Sequence, residues 1–188
     1  MNYITEERFE DFDFQNKEIK RGQYEYCVFI RCILKDVDLS KFVFIDCEFI
    51  DCDLTNANLD RTSFQNVRFK GSKLVGLRFD HCADFALSFD FVECRLDHAS
   101  FYRKDIKKTN FFDTQLIEVD FTETNLTESV IKNCDLSRSI FNNTILERAD
   151  LTSSIGFSID PEVNKIKKAR FSLQEVKGLL VKYNIIIE

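Results

Sequence analysis

The chain is short of the residues that most chemistry needs. Five glycines are spread over 188 residues, and no glycine-rich segment could cradle a phosphate. There are two histidines, His81 and His98, too few to point to a zinc site. No nucleophile is spaced with a base, and Cys82 beside His81 reads as a loop thiol next to a loop histidine. No apolar stretch nears the length of a membrane span. The start, Met1-Asn2-Tyr3-Ile4-Thr5-Glu6-Glu7, does not read as a secretion signal. Net charge is −6, and no basic run suggests direct nucleic-acid binding. These absences leave one cytoplasmic domain with short ends, not an enzyme, with no metal and no cofactor.

What is present is a five-residue beat of large apolar side chains. It runs through Tyr24, Phe29, Leu34, Leu39, Phe44, Phe49, Leu54, Leu59, Phe64, Phe69, Leu74 and Phe79. It resumes in a shifted register at Phe91, Leu96, Phe101, Ile106, Phe111, Leu116, Phe121, Leu126, Ile131, Leu136, Phe141, Leu146 and Leu151. A period of five is neither the 3.6 of a helix nor the 2 of a strand. It requires a coiled repeat that returns every fifth residue to the inside. Two positions before most large residues stands a small one, such as Cys27, Cys52, Ala57, Thr62, Ser72, Thr124 or Ala149. Lys104 breaks that rule, and Phe42 and Leu77 are oversized for it.

The unit therefore reads small, polar, Leu or Phe, polar, polar. Stretches such as Ala57-Asn58-Leu59-Asp60-Arg61 and Ala149-Asp150-Leu151-Thr152-Ser153 resemble the pentapeptide-repeat family, from about Phe9 to Ser153. The resemblance implies an all-β solenoid, a right-handed quadrilateral β-helix with four repeats per coil. Residue identity gives an independent check, since sites twenty apart should stack. Leu34, Leu54 and Leu74 match, as do Phe29, Phe49 and Phe69, and later Phe101, Phe121 and Phe141. Rungs about 4.8 Å apart make a rod on the order of 35 Å long. The register break near residues 80–90 is either two residues gained or three lost, and a bulge near His81–Ala86 absorbs an insertion cheaply.

All of the seven cysteines except Cys82 fall on the small inward site. They read as reduced, buried small groups. The solenoid is expected over residues 1–154, with a C-terminal capping module over 155–188. Asp160-Pro161 suits a short helical turn. Ser172-Leu173-Gln174-Glu175 has the pattern of a capping box. It predicts an amphipathic α-helix ended by Asn184, with Ile185-Ile186-Ile187 as a short strand.

This order of C-terminal elements is similar to that in the Qnr, MfpA and McbG types of pentapeptide-repeat protein. In those the module joins two chains tail to tail. The dimer interface implied here is Leu173, Val176, Leu179, Leu180, Tyr183, Ile185 and Ile187. The same resemblance implies a DNA-mimicking rod that binds DNA gyrase, and by extension topoisomerase IV, and protects it from quinolones or peptide toxins. The long projecting loops of many Qnr proteins are missing. The carboxylates assigned to the gyrase-contacting surface are Asp113, Glu118, Asp120, Glu123, Glu128, Asp135, Glu147 and Asp150. Each also reads as an ordinary solvated residue of the coil. The alternative is a structural or adaptor solenoid without topoisomerase contact, and outward cations such as Arg68, Lys70, Lys73 and Arg78 point that way.

Overall fold

The computed structural model describes residues 2–187; Met1 and Glu188 lie outside the described residues. The strands are short: β1 (Asn2–Thr5), β2 (Arg8–Glu10), β3 (Gly22–Glu25), β4 (Val28–Ile30), β5 (Val43–Ile45), β6 (Glu48–Ile50), β7 (Ser63–Gln65), β8 (Val67–Lys70), β9 (Phe89–Val92), β10 (Asn110–Phe112) and β11 (Val130–Lys132). They form two parallel sheets. One is ordered β1-β3-β5-β7 and the other, seven-stranded, β2-β4-β6-β8-β9-β10-β11. Partners early in the chain are twenty residues apart, as in Phe29↔Phe49 and Phe44↔Phe64. Two more ladders of single bridges complete the coil, one through Asp13, Ile33, Asp53 and Lys73, the other through Asp38 and Asn58. We number the sides in chain order: side one holds the first sheet, side two the second, sides three and four the bridge ladders.

Each side must end in a sharp bend within five residues. The bend is made two positions after the large residue, by a residue in left-handed conformation: Arg31 (φ 49°), Lys41 (φ 64°), Arg61 (φ 55°), Glu118 (φ 58°). A residue with a Cβ pays about 1–2 kcal/mol for this conformation, so the corners persist only because the stack over-determines them.

Stacking and burial supply that drive. Every large residue of the beat, from Tyr24 to Leu151, is buried, each worth roughly 1.5–3 kcal/mol. On side two the phenyl rings form one continuous pile. Phe9 on Phe29, Phe29 on Phe49, Phe49 on Phe69, Phe69 on Phe91 and Phe91 on Phe111 are all near-parallel, with centroids 4.6 to 5.4 Å apart. Neighbouring sides meet edge to face, as Phe44 does with Phe49 at 5.3 Å. Offset-stacked and edge-to-face contacts are the favourable arrangements of aromatic quadrupoles.

The small inward site has a second job besides fitting. At the corners the backbone leaves groups that the next coil's main chain does not reach, and a buried side chain reaches them instead. The hydroxyls of Thr62, Thr124 and Thr144 donate to the carbonyls of Leu39, Phe101 and Phe121, each at 2.7 Å. The Ser72 hydroxyl accepts from the Cys52 N–H at 3.0 Å while donating to the Phe49 carbonyl at 3.2 Å. Cysteine does this more weakly, as Cys52 Sγ does to the Phe29 carbonyl at 3.3 Å. The seven cysteines are free and buried. Burial pushes the Cys47 thiol up to about 12 and those of Cys94 and Cys134 up to about 11.

Across the register break the pairing offset becomes 22: Phe69↔Phe91, Lys73↔Arg95, Arg78↔Ser100. Two residues are therefore gained, on side one between Cys82 and Ser88. The phenyl pile of side two and the leucine ladder of side three pass through undisturbed. The bulge also explains why the small-site rule fails at Lys104. That side chain is buried and its ammonium donates to the Cys82 carbonyl at 2.7 Å and to the Asp84 carboxylate. A long cation fills the space that a displaced coil segment vacates, and it satisfies a carbonyl that the bulge takes out of the ladder.

The C-terminal segment departs from expectation in three ways. Backbone pairing runs on to Lys165 and Arg170, so the coil overruns the boundary placed at residue 154 by most of a turn. The expected α-helix is absent. Ser172 Oγ accepts from the Glu175 N–H at 3.1 Å, as a cap should, but two short 3-10 turns follow, Val176–Leu179 and Val181–Tyr183. Gly178 lies within this stretch, and its carbonyl accepts from the Ile159 N–H at 3.0 Å, which ties the turns to the end of the coil. A Cβ there would press on the Phe157 ring at 2.6 Å. Asn184 does end the turns, with φ 48°. Ile185-Ile186-Ile187 is not a strand, and its three side chains are exposed. No helix among the described residues is long and apolar enough to cross a membrane.

Three outcomes test this account. Leu54→Asp places an unpaired carboxylate between stacked rungs, where its cost exceeds several kcal/mol; the variant should fail to fold, and an unchanged melting curve would overturn the inward assignment. Lys104→Met keeps the volume but leaves the Cys82 carbonyl unpaired, a loss of about 1–3 kcal/mol. Its melting temperature should fall, with amide exchange rising over residues 83–88 before the rest of the coil. Alkylation of the native protein at neutral pH should modify few thiols, whereas alkylation after denaturation should modify all seven.

Candidate functional site: the charged edges of the coil

The interior is filled by apolar side chains, so any function rests on the outside. Stacking converts residues twenty apart in sequence into vertical columns on the surface. The corner residues project furthest, and they form four columns.

The carboxylates singled out from the sequence do not share one surface. Asp113 lies on the edge between sides two and three, and Glu118 on the edge between three and four. Glu123 lies on the edge between four and one, and Glu128 on the edge between one and two. Asp150, Asp135 and Asp120 sit on sides two, three and four, within the bridge ladders. Glu147 follows Leu146 on side one.

Most of these carboxylates are also engaged within the coil. Glu118 is clasped by Arg138 at 2.6 Å and His98 at 3.1 Å. The Arg138 guanidinium holds its carboxyl below the usual range. Glu123 pairs with Arg103 at 2.7 Å, and Glu128 lies between Arg148 at 2.7 Å and Lys108 at 3.8 Å. Asp120 and Asp135 accept from backbone N–H groups two residues on, of Thr122 and Ser137, both at 2.9 Å. Burial pushes the Asp150 carboxyl up, but the Thr152 hydroxyl and N–H and the nearby Arg170 and Lys132 outweigh it, and the net direction is down. These groups hold adjacent coils and turns together.

A different set makes a coherent acidic surface. On the edge between sides two and three the corner column reads Asp11, Arg31, Asp51, Gly71, Glu93 and Asp113. Arg31 neutralises Asp11 through two contacts at 2.7 and 2.8 Å. Asp51, Glu93 and Asp113 are exposed and stand in no ion pair among the described residues, although the exposed Lys70 on side two and Lys73 on side three flank the column at Gly71. Gly71 has φ +60°, and a Cβ there would run into the Asp51 carboxylate. The diagonally opposite edge, between sides four and one, carries Arg21, Lys41, Arg61 and Arg103 with His81 in the turn before Arg103, and Glu123 follows in the next turn, paired to Arg103. Arg78, named above as breaking up an acidic surface, lies on side four beside that edge and pairs with Asp80 at 2.7 Å. The acidic edge was legible only to a count in steps of twenty that also allows for the two-residue insertion.

Of the residues assigned to a tail-to-tail interface, Leu173, Val176, Tyr183, Ile185 and Ile187 are exposed, Leu173 at 85%. Leu180 is half-buried, and Leu179 packs on the core. Phe157, Leu180, Val181, Ile185 and Ile187 line a groove of about 470 Å³. The Tyr183 hydroxyl is tied to Glu162 at 2.9 Å, and Lys182 clasps Asp160 and Glu162 at 2.7 and 2.6 Å. Among the described residues no cluster of His, Cys, Asp and Glu could hold a metal ion.

Among solved structures, the chain is similar in fold to a trypsin-treated form of QnrB1, described as a plasmid-mediated fluoroquinolone resistance protein. The TM-score is 0.64 at 16% identity, covering 100% of both chains. Full-length QnrB1 matches with a TM-score of 0.56 at 15% identity, over 98% of this chain and 100% of that one. No curated protein matches at the sequence level. The pentapeptide-repeats family matches with 8 copies, over residues 47–82, 90–127 and 129–155. A matched span of that extent, on a coil of this geometry, places the chain in the pentapeptide-repeat family.

Proposed function

We propose that this protein is a DNA-mimicking rod that binds DNA gyrase, and by extension topoisomerase IV, and protects the enzyme from quinolones or peptide toxins. The observation that carries the reading is the segregation of charge. A DNA mimic needs one continuous acidic surface, and cations scattered over the coil would spoil it. The column Asp51, Glu93 and Asp113 is the longest run of unpaired carboxylates at a corner of the coil, interrupted at the Gly71 turn by Lys70 and Lys73 on either side. Its partner would be a basic groove built for duplex DNA, with charge complementarity setting orientation and encounter rate. Likeness in fold to QnrB1 over the full length of both chains supports the same reading. No bond is made or broken.

The rod acts as a homodimer in this proposal. The exposed Leu173, Val181, Tyr183, Ile185, Ile186 and Ile187 lie at one end of the coil, where a two-fold pairing would bury them in an isologous contact. Tail-to-tail joining would roughly double the rod and present an acidic edge on each half.

Two measurements test this. In a supercoiling assay, titrating the protein should restore gyrase activity in the presence of a quinolone, and Asp51→Lys with Glu93→Lys should abolish the rescue without lowering the melting temperature. No rescue by the intact protein would favour the adaptor reading. Light scattering at micromolar concentration should give a dimer, and Leu173→Glu with Ile186→Glu should give a monomer; a monomeric intact chain would remove the tail-to-tail arrangement.

A further inference from the structure

The cationic edge is a feature that a linear scan of the sequence cannot see. Arg21, Lys41, Arg61, His81 and Arg103 are about twenty residues apart, so no basic run exists. The coil brings them to the same corner of five successive turns. The stacking is direct: the Arg61 N–H donates to the His81 carbonyl at 2.9 Å, and the Lys41 N–H to the Asp60 carbonyl at 2.9 Å. At about 4.8 Å per rung the column is roughly 19 Å long. All five side chains are exposed.

Their internal partners are weak. Arg21 reaches Asp38 at 3.5 Å, Arg61 reaches Asp60 at 3.9 Å and His81 reaches Asp80 at 3.6 Å. Only Arg103 has a close partner, Glu123 at 2.7 Å, and Lys41 has none among the described residues. Exposed pairs of this kind contribute little and yield readily to a stronger anion.

One aromatic ring borders the column, and a second stands exposed on the bulge that follows His81 along side one. The Tyr102 ring lies on side four, with the Arg103 guanidinium 4.7 Å from its centroid. Phe85 stands on the side-one bulge and is 80% exposed. The bulge is held in place at its base, because the buried Lys104 ammonium bonds to Cys82 and Asp84 on either side of Ala83. An exposed ring on a strapped bulge is pre-organised for a flat partner.

We propose that the edge between sides four and one binds an extended single-stranded polynucleotide, its phosphodiester chain running along the cations and an unstacked base lying on Phe85. A row of cations at regular pitch fits a linear polyanion, and aromatic faces beside it fit splayed bases better than an acidic protein surface. A duplex presents its phosphates but keeps its bases stacked, so Phe85 would gain nothing from it. The edge is diagonal to the acidic column, so the inference stands apart from the topoisomerase reading.

Fluorescence anisotropy with the full-length protein tests it, using labelled dT20 and rU20 at 50 and 200 mM KCl. Binding should be on the order of 10 µM at the lower salt. With about four cations engaged, the log–log salt slope should be near −3. Lys41→Glu with Arg61→Glu should abolish binding, and Phe85→Ala should weaken it about tenfold. Melting curves should be unchanged, since all three side chains are exposed; if the charge reversals melt early, Lys41→Gln with Arg61→Gln replaces them. Binding of only one of the two strands supports the inference and names the source. The inference is overturned if neither strand binds at 50 mM KCl, if the edge variants bind as the parent does, or if a 20-base-pair duplex or polyglutamate binds as tightly as dT20.

Discussion

The structure depends on one relation, the register between a residue and the residue one coil later. Parallel pairing at a fixed offset puts ring on ring, leucine on leucine and carbonyl beneath N–H. Most corners then adopt a left-handed conformation that an isolated chain would avoid. No coil could hold four such bends alone. Stacked on its neighbours, each bend is fixed by hydrogen bonds above and below, and the buried rings supply the free energy that offsets it. The small inward residues belong to the same relation, since Thr62, Ser72 and Thr124 both fit beside the rings and bond to carbonyls of the coil before.

The break near residue 85 shows how that relation tolerates error. Two added residues are confined to side one, and the other three sides keep their partners. The cost is local: one carbonyl leaves the ladder, and Lys104 takes it up from the inside. A lysine at a site otherwise kept for cysteine, alanine or threonine looks like a fault in the repeat. In the folded coil it is the compensation for the insertion twenty residues earlier.

The same relation organises the surface. Column contents are set by residues twenty apart, so charges distant in sequence become neighbours at about 4.8 Å. Each of the four corner columns carries at least one carboxylate paired to a cation of an adjacent coil, which staples the rungs. The column through Asp51, Glu93 and Asp113 keeps its charge available, and the one through Lys41 and Arg61 collects the opposite sign. The rod thus has edges of differing charge, which a net charge of −6 does not convey.

The five-residue beat was enough to determine a coiled repeat, its buried residues and the place of the cysteines, because each of these follows from local period; the four sides came from the family resemblance, with like residues twenty apart as a check. The beat was enough, too, to locate the break, though not to say that residues were gained rather than lost. Tertiary structure decided the rest. Gly178 gives its carbonyl to Ile159 and lies against Phe157, contacts that no pattern of apolar spacing reveals, and the capping bond of Ser172 is followed by 3-10 turns in place of an α-helix. Glu118, Glu123 and Glu128 have the composition of an acidic surface, but their cationic partners lie one coil away, and the coil scatters the three over different edges. Periodicity is a property of neighbours along the chain, and so it is legible in sequence. Which charges are free, and which face the same way, is a property of neighbours across the coils, and only the stacked structure brings them together.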